Sequence, residues 1–155
     1  MGIEIERKFL VRNTNWKIDA HGQRYTQGYL STDPDRMVRV RLAGDQAWLT
    51  IKNRAVDLVR AEFEYPIPPD DARILLEQLC LGPLIDKTRY RVAHAGHIWE
   101  VDEFHGDNAG LVVAEIELSR PDEPFERPVW LGDEVSGDPR YGNSSLIACP
   151  YSTWD

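Results

Sequence analysis

The chain has 155 residues and sets 18 Lys+Arg against 26 Asp+Glu, a formal net charge of −8. With 42% hydrophobic and 28% charged residues it has the composition of a folded domain, and no apolar run approaches the ~18 residues of a spanning helix, so no membrane partner is expected. An acidic balance repels phosphate backbones, which disfavours nucleic acid as a partner. Two cysteines, Cys80 and Cys149, and a start at Met1-Gly2-Ile3-Glu4 that runs straight into charged alternation point to a cytoplasmic protein without a structural disulfide. Glu6 stands where N-myristoylation requires Ser or Thr, which argues against lipidation at Gly2.

Alternation with period 2, interrupted by turn residues, predicts eight strands. They run approximately Ile3 to Val11, Gln23 to Leu30, Met37 to Leu42, Ala47 to Asn53, Leu58 to Ile67, Asp86 to His94, His97 to Phe104 and Leu111 to Leu118. Ala43-Gly44-Asp45-Gln46 and Ala95-Gly96 read as tight hairpin connections. One segment breaks the pattern: from Pro69 to Cys80, Ala72, Leu75, Leu76 and Leu79 recur at helical spacing, acids fill the first turn and Gly82-Pro83 follows. That predicts an amphipathic helix lying outside the sheet. The Pro- and Gly-rich stretch 121–155 reads as a C-terminal cap with short helical pieces near Val129-Trp130-Leu131 and Ser144-Ser145-Leu146-Ile147. The expected fold is mainly β (α+β), an eight-stranded antiparallel closed barrel with outer helices, in a single domain spanning 1–155.

Residues two apart on a strand share a face. Glu4, Glu6 and Lys8 therefore align, as do Arg39 with Arg41, Arg60 with Glu62 and Glu64, Lys87 with Arg89 and Arg91, Glu100 with Asp102, and Glu115 with Glu117, while Lys52 alternates with Leu49 and Ile51. For one strand, a solvated face is the ordinary reading. Across the set, acids and bases segregate by strand, and the apolar alternates need an outer cover that the helix and the tail can supply. A curled sheet would then turn its charges inward. Charges facing one lumen need pairing or a ligand, since an isolated buried charge costs several kcal/mol. The carboxylates suit Mg²⁺ or Mn²⁺, and the Lys and Arg suit a run of phosphate oxygens, so the combined ligand is a metal-bound polyphosphate.

Other constellations carry less. His94-Ala95-Gly96-His97 lacks further zinc ligands, Gly142-Asn143-Ser144-Ser145 is not a nucleophile elbow, and no phosphate-cradling or dinucleotide glycine motif occurs. A barrel for apolar ligands would need a hydrophobic inward set.

The opening Glu4-Ile5-Glu6-Arg7-Lys8 resembles the ExExK signature of the CYTH superfamily, the triphosphate tunnel metalloenzymes. Matching segments follow in order: Gln27-Gly28-Tyr29-Leu30, Val38-Arg39-Val40-Arg41, Leu49-Thr50-Ile51-Lys52, Arg60-Ala61-Glu62-Phe63-Glu64, Lys87-Thr88-Arg89-Tyr90, Trp99-Glu100-Val101-Asp102-Glu103-Phe104, Glu115-Ile116-Glu117 and Glu134 through Tyr141. The resemblance implies an eight-stranded tunnel that hydrolyses inorganic tripolyphosphate with Mg²⁺ or Mn²⁺, as a monomer or homodimer. It implies phosphate binding by Lys8, Arg39, Arg41, Lys52, Arg60, Lys87 and Arg89, and metal binding by Glu4, Glu6, Asp102, Glu115 and Glu117. Glu4, Glu6, Lys8, Arg41 and Glu117 would be the catalytic set. Relatives include class IV adenylyl cyclases, which make cyclic AMP from ATP, and thiamine or nucleoside triphosphatases; a noncatalytic polyphosphate-binding module is the reading from outside the enzymes.

Overall fold

A computed structural model describes residues 2–154. Nine strands occur in chain order: β1 (Ile3–Val11), β2 (Gly22–Asp33), β3 (Arg36–Ala43), β4 (Gln46–Lys52), β5 (Val59–Ile67), β6 (Leu81–His94), β7 (His97–Phe104), β8 (Val112–Glu117) and β9 (Leu131–Glu134). The helices are α1 (Pro69–Gln78) and the short α2 (Ser145–Ala148). All strand pairs are antiparallel, in the order β5-β4-β3-β2-β6-β7-β8-β1-β9, and β5 also pairs with β1, so eight strands close into a barrel. One edge of β1 is divided between two partners: Ile3–Ile5 meet β5, and Phe9–Val11 meet β9 across a bulge. The ninth strand thus continues the seam where β5 leaves it, and Val135 N–H donates to the Lys8 carbonyl beyond its end.

Two hairpins show why the chain turns where it does. Ala95 and Gly96 both take positive φ, the pairing a two-residue turn needs to match strand twist. At the β4–β5 connection the same task falls to Asp57 and Leu58, at φ 51° and 73°, a conformation uncommon for a branched side chain. No turn signature marks Leu58 in the sequence, so the expected strand start there is one residue early.

The apolar alternates face outward and are covered in two places. Around Trp99, the rings of Phe9, Phe125 and Trp130 stand edge-to-face at 5.6 Å, with Trp16, Ile116 and Leu118 completing the cluster. Helix α1 lays Ala72 and Leu76 on Val40 and Ala47. Its end approaches β2 so closely that a Cβ on Gly28 would lie 2.7 Å from Cys80 Sγ. At one end the inner face itself turns apolar: helix α2 sets Leu146 against Ile85, Phe104, Leu111 and Val113, of which Ile85, Phe104 and Val113 lie two residues from Lys87, Asp102 and Glu115 on the same side of their strands. Each such side chain contributes roughly 1.5–3 kcal/mol of burial, and together these patches let the barrel turn its polar side inward.

Two expectations need correction. The residues around Val129-Trp130-Leu131 lead into strand β9 and are not helical. Gly82-Pro83 does not lie in a terminating loop but inside β6, which begins five residues before the expected Asp86.

Candidate active site

Strand alternation sends one side of every barrel strand into a cavity of about 240 Å³. Seven carboxylates line it (Glu4, Glu6, Glu62, Glu64, Glu100, Glu115 and Glu117) together with eight cations (Lys8, Arg39, Arg41, Lys52, Arg60, Lys87, Arg89 and Arg91). Tyr29, Met37 and residues 142–144 complete the wall. The register fixes who meets whom: Glu6 lies opposite Glu117, Lys8 opposite Glu115, Glu4 opposite Arg60 and Glu100 opposite Glu115.

The charges fall into three groups. Glu4 accepts from Lys52 Nζ at 3.1 Å and Arg60 Nε at 3.0 Å. Burial alone would raise its carboxyl, but those two cations more than offset it and hold Glu4 at about 2. Asp102, on the inner face of β7 two residues from Glu100, is 1% exposed, with both oxygens committed: Arg89 Nε donates to Oδ1 at 2.7 Å, and Lys87 Nζ and Arg89 Nη2 donate to Oδ2 at 2.7 and 2.8 Å. Burial pushes the Lys87 ammonium down to about 7 against the pull of Asp102, with Arg89 and Arg41 adding to the fall. Arg41 is lowered to about 9 by burial and by its neighbours Arg39 and Arg89. In both cases cations outnumber their local partners.

The third group has the opposite imbalance. Burial, then Glu115 and Glu4, push the Glu6 carboxyl well above its ordinary range, whereas Lys8 and Arg89 keep Glu115 well below despite its burial. Burial together with Glu4, Glu62 and Glu100 raises Glu117 as well. Neither Glu6 nor Glu117 forms an ion pair among the described residues, while Glu115 takes Arg89 at 3.0 Å and Lys8 at 3.8 Å. The lumen therefore holds adjacent regions of surplus negative and surplus positive charge. A divalent cation fits the first and a polyanion the second. The buried Arg39 Nε, which has no hydrogen-bond partner, gives the same sign for the anion. No three His, Cys, Asp or Glu among the described residues gather closely enough to hold a metal unaided, so ligand oxygens would have to complete its shell.

The two ends of the lumen differ. Tail residues cross one end: Lys8 Nζ donates to the Tyr141 carbonyl at 3.3 Å, and Lys87 Nζ donates to Asn143 Oδ1 at 2.9 Å. Toward the other, side chains become wetter, from 1% at Lys87 to 28% at Glu100, 40% at Glu64 and 59% at Arg91. Glu62, Glu64, Arg91 and Glu100 lay on the aligned faces in the sequence but outside the expected site set; strand parity alone could have added them. Asn143 had no such signal, because an irregular tail has no period from which to infer direction.

The sequence matches the CYTH domain family over residues 2–148. It is 48% identical over 154 residues to an inorganic triphosphatase of Acetivibrio thermocellus, covering 99% of each chain. It is 35% identical over 147 residues to an inorganic triphosphatase of Nitrosomonas europaea, covering 92% of this chain and 95% of that one. A solved structure of an inorganic triphosphatase superposes with a TM-score of 0.66 at 32% identity, covering 92% of this chain and 96% of the other. A closed eight-stranded barrel with a charge-lined interior, matched over nearly its whole length by these relatives, makes the chain a member of the CYTH family.

Proposed function

We propose that the chain is a divalent-metal-dependent inorganic triphosphatase that splits tripolyphosphate into pyrophosphate and orthophosphate inside the barrel. The observation that carries the reading is the lining itself: cations follow one another along the lumen, and among the described residues the side chains there without formal charge or amide are Tyr29, Met37 and Ser144. Tyr29 is 2% exposed, so the wall presents no aromatic platform for a nucleobase or a thiazole. The relatives' names agree with that lack of provision for an organic end.

In this reading Lys8, Arg41, Lys87 and Arg89 hold the phosphoryl oxygens at the tail-closed end, and Arg39, Lys52 and Arg60 extend the cradle. Glu6, Glu115 and Glu117, with Glu4 beside them, would contribute carboxylate oxygens to a metal whose shell the phosphates complete; Asp102 would serve as counter-ion to Lys87 and Arg89, because its oxygens are already taken. The metal, Mg²⁺ or Mn²⁺, would supply charge neutralisation and a more acidic bound water. A water oxygen bonds to the terminal phosphorus and gives up a proton to solvent, the bridging P–O bond breaks, and its electron pair leaves with pyrophosphate. Phosphoryl transfer has a loose transition state, so fixed cations around the departing oxygen supply most of what the protein must provide. Glu4 keeps Lys52 and Arg60 in place, and Lys8 and Arg41 orient the substrate. No protein nucleophile is needed.

We further read 1–155 as one CYTH-like domain with 121–155 as its cap. We read the assembly as a monomer or a homodimer. No described helix is long and apolar enough to cross a membrane, and the free thiols of Cys80 and Cys149 suit a cytoplasmic setting. The test is a panel of tripolyphosphate, pyrophosphate, ATP and thiamine triphosphate with Mg²⁺ or Mn²⁺, and with EDTA as control. Orthophosphate from tripolyphosphate above all others is expected. Cyclic AMP as the main product from ATP would overturn the reading.

A further inference from the structure

The tail does more than cover an opening. A chain of hydrogen bonds fixes which way its one luminal amide points, because it starts from a guanidinium that can only donate. Arg41 Nε donates to Gln27 Oε1 at 2.7 Å, which leaves the Gln27 amide nitrogen as the group that faces Asn143. Gln27 Nε2 then donates to Asn143 Oδ1 at 3.3 Å, and the same oxygen accepts from Lys87 Nζ at 2.9 Å. Gln27 and Lys87 are 0% and 1% exposed, so neither has water to turn to. Asn143 Oδ1 is thus directed at two donors, and Nδ2 is the atom left over, with no hydrogen bond among the described residues. Asn143 lines the cavity together with Lys87 and Lys8.

We propose that Asn143 is a substrate-binding residue that donates Nδ2 to an end phosphate of the triphosphate and closes the lumen behind it, an inference that rests on the triphosphatase reading above. Three features support it. The position is supplied by the tail and held on both sides: β9 pairs with β1 before it, and Leu146 is buried against Ile85 and Phe104 just after it. The neighbouring donors, Lys87 and Arg41, are the ones left with surplus positive charge. A neutral amide adds a directional donor there without adding to the cation crowding that already lowers both. It also links the two cations, since Arg41 reaches Lys87 through Gln27 and Asn143, so anchoring an end phosphate would order the whole cradle at once.

The experiment is calorimetric titration of tripolyphosphate into metal-free protein in EDTA, beside steady-state hydrolysis with Mg²⁺, for wild type, Asn143→Asp, Asn143→Ala and Asn143→Ser. The aspartate keeps the acceptor for Lys87 and Gln27 but presents an oxygen where the substrate needs a donor. It should weaken binding by about ten- to a hundredfold, the range for losing a hydrogen bond to a charged group. Alanine should cost less, about threefold or more, and serine, which can donate and accept, should recover part of the loss. Unfolding midpoints without ligand separate this from a structural role, because all three variants should unfold within a few degrees of wild type. Asn143→Asp binding as tightly as wild type would overturn the proposal and leave the triphosphatase reading intact. Wild type that binds tripolyphosphate without splitting it, with Asn143→Asp binding weakly, would keep the residue's role and remove the hydrolase. Wild type that neither binds tripolyphosphate in EDTA nor splits it with Mg²⁺ would end both.

Discussion

Lys87 decides most of the chemistry at the level of single side chains, because it is fully buried yet shares one carboxylate with Arg89. With its ammonium pushed down to about 7, the folded chain has released a proton at pH 8 that the unfolded chain, near the ordinary 10.5, still holds. By linkage, this group makes the fold more stable as pH rises between those two values. Ligand binding has the opposite sign: a polyanion beside Lys87 favours the ammonium, so the complex takes up a proton. Titrations of tripolyphosphate at pH 8 in buffers of different ionisation enthalpy should show net proton uptake, and affinity should fall as pH rises through 7. Lys87→Met should lose most of both effects; an unchanged uptake in that variant would assign the proton elsewhere. Asp102 gives a second prediction. Asp102→Asn leaves two buried cations short of a counter-charge, which costs about 3–5 kcal/mol in a buried pair, so the unfolding midpoint should drop and added tripolyphosphate should restore part of it. On the proposed reading of Asp102 as the cations' partner, Mn²⁺ affinity should stay within about twofold of wild type. A large loss of metal affinity at unchanged stability would restore Asp102 to the metal set.

Among the elements, α1 separates stability from function most cleanly. It packs on the outer side of β3 and β4, and the charges it helps turn inward are on the opposite side of the same strands. Leu76→Ala should therefore cost about 2–5 kcal/mol in denaturant unfolding, the usual range for a buried leucine, while KM for tripolyphosphate is unchanged in the folded fraction. A raised KM would mean that the helix shapes the lumen and not merely the core. The barrel strands were legible in the sequence because each is half polar, so that period 2 is visible, and because Ala95-Gly96 and Gly44 mark their turns. The ends were less so. Gly82-Pro83 reads as a stop, yet β6 runs through it, since Leu81 pairs with Tyr29 only across an irregularity in β2. β9 was hidden because four residues are too few to show a period and Gly132 sits within them. Charged candidates on strands, Glu4 through Glu117, could be assigned to one lumen by parity alone. Asn143 could not, because its placement depends on β9 and on Leu146 anchoring the tail at both sides.

For the whole molecule the question is how a chain of net charge −8 admits a polyanion. The lumen is cationic at its closed end, whereas Glu62, Glu64 and Glu100 stand toward the wetter end, paired with Lys52 at 3.3 Å, Arg39 at 3.5 Å, and Arg89 and Arg91 at 3.3 and 3.5 Å respectively. A free triphosphate approaching there meets carboxylates before it meets Lys8 or Lys87, whereas one carrying a divalent cation arrives with part of its charge already cancelled. That arrangement selects for the metal-loaded ligand at the step of capture, before any chemistry. Neutralising the rim should erase the selection: Glu64→Gln with Glu100→Gln should raise the association rate of metal-free tripolyphosphate by about tenfold at low salt, within the span that charge steering covers. The rate for the magnesium complex should change far less. In about 0.5 M KCl the screening length falls to a few ångströms, and the difference between variant and wild type should vanish. Stopped-flow measurement on the intrinsic tryptophans reads all three, and equal rates for the two proteins at low salt would show that the rim carboxylates do not govern entry.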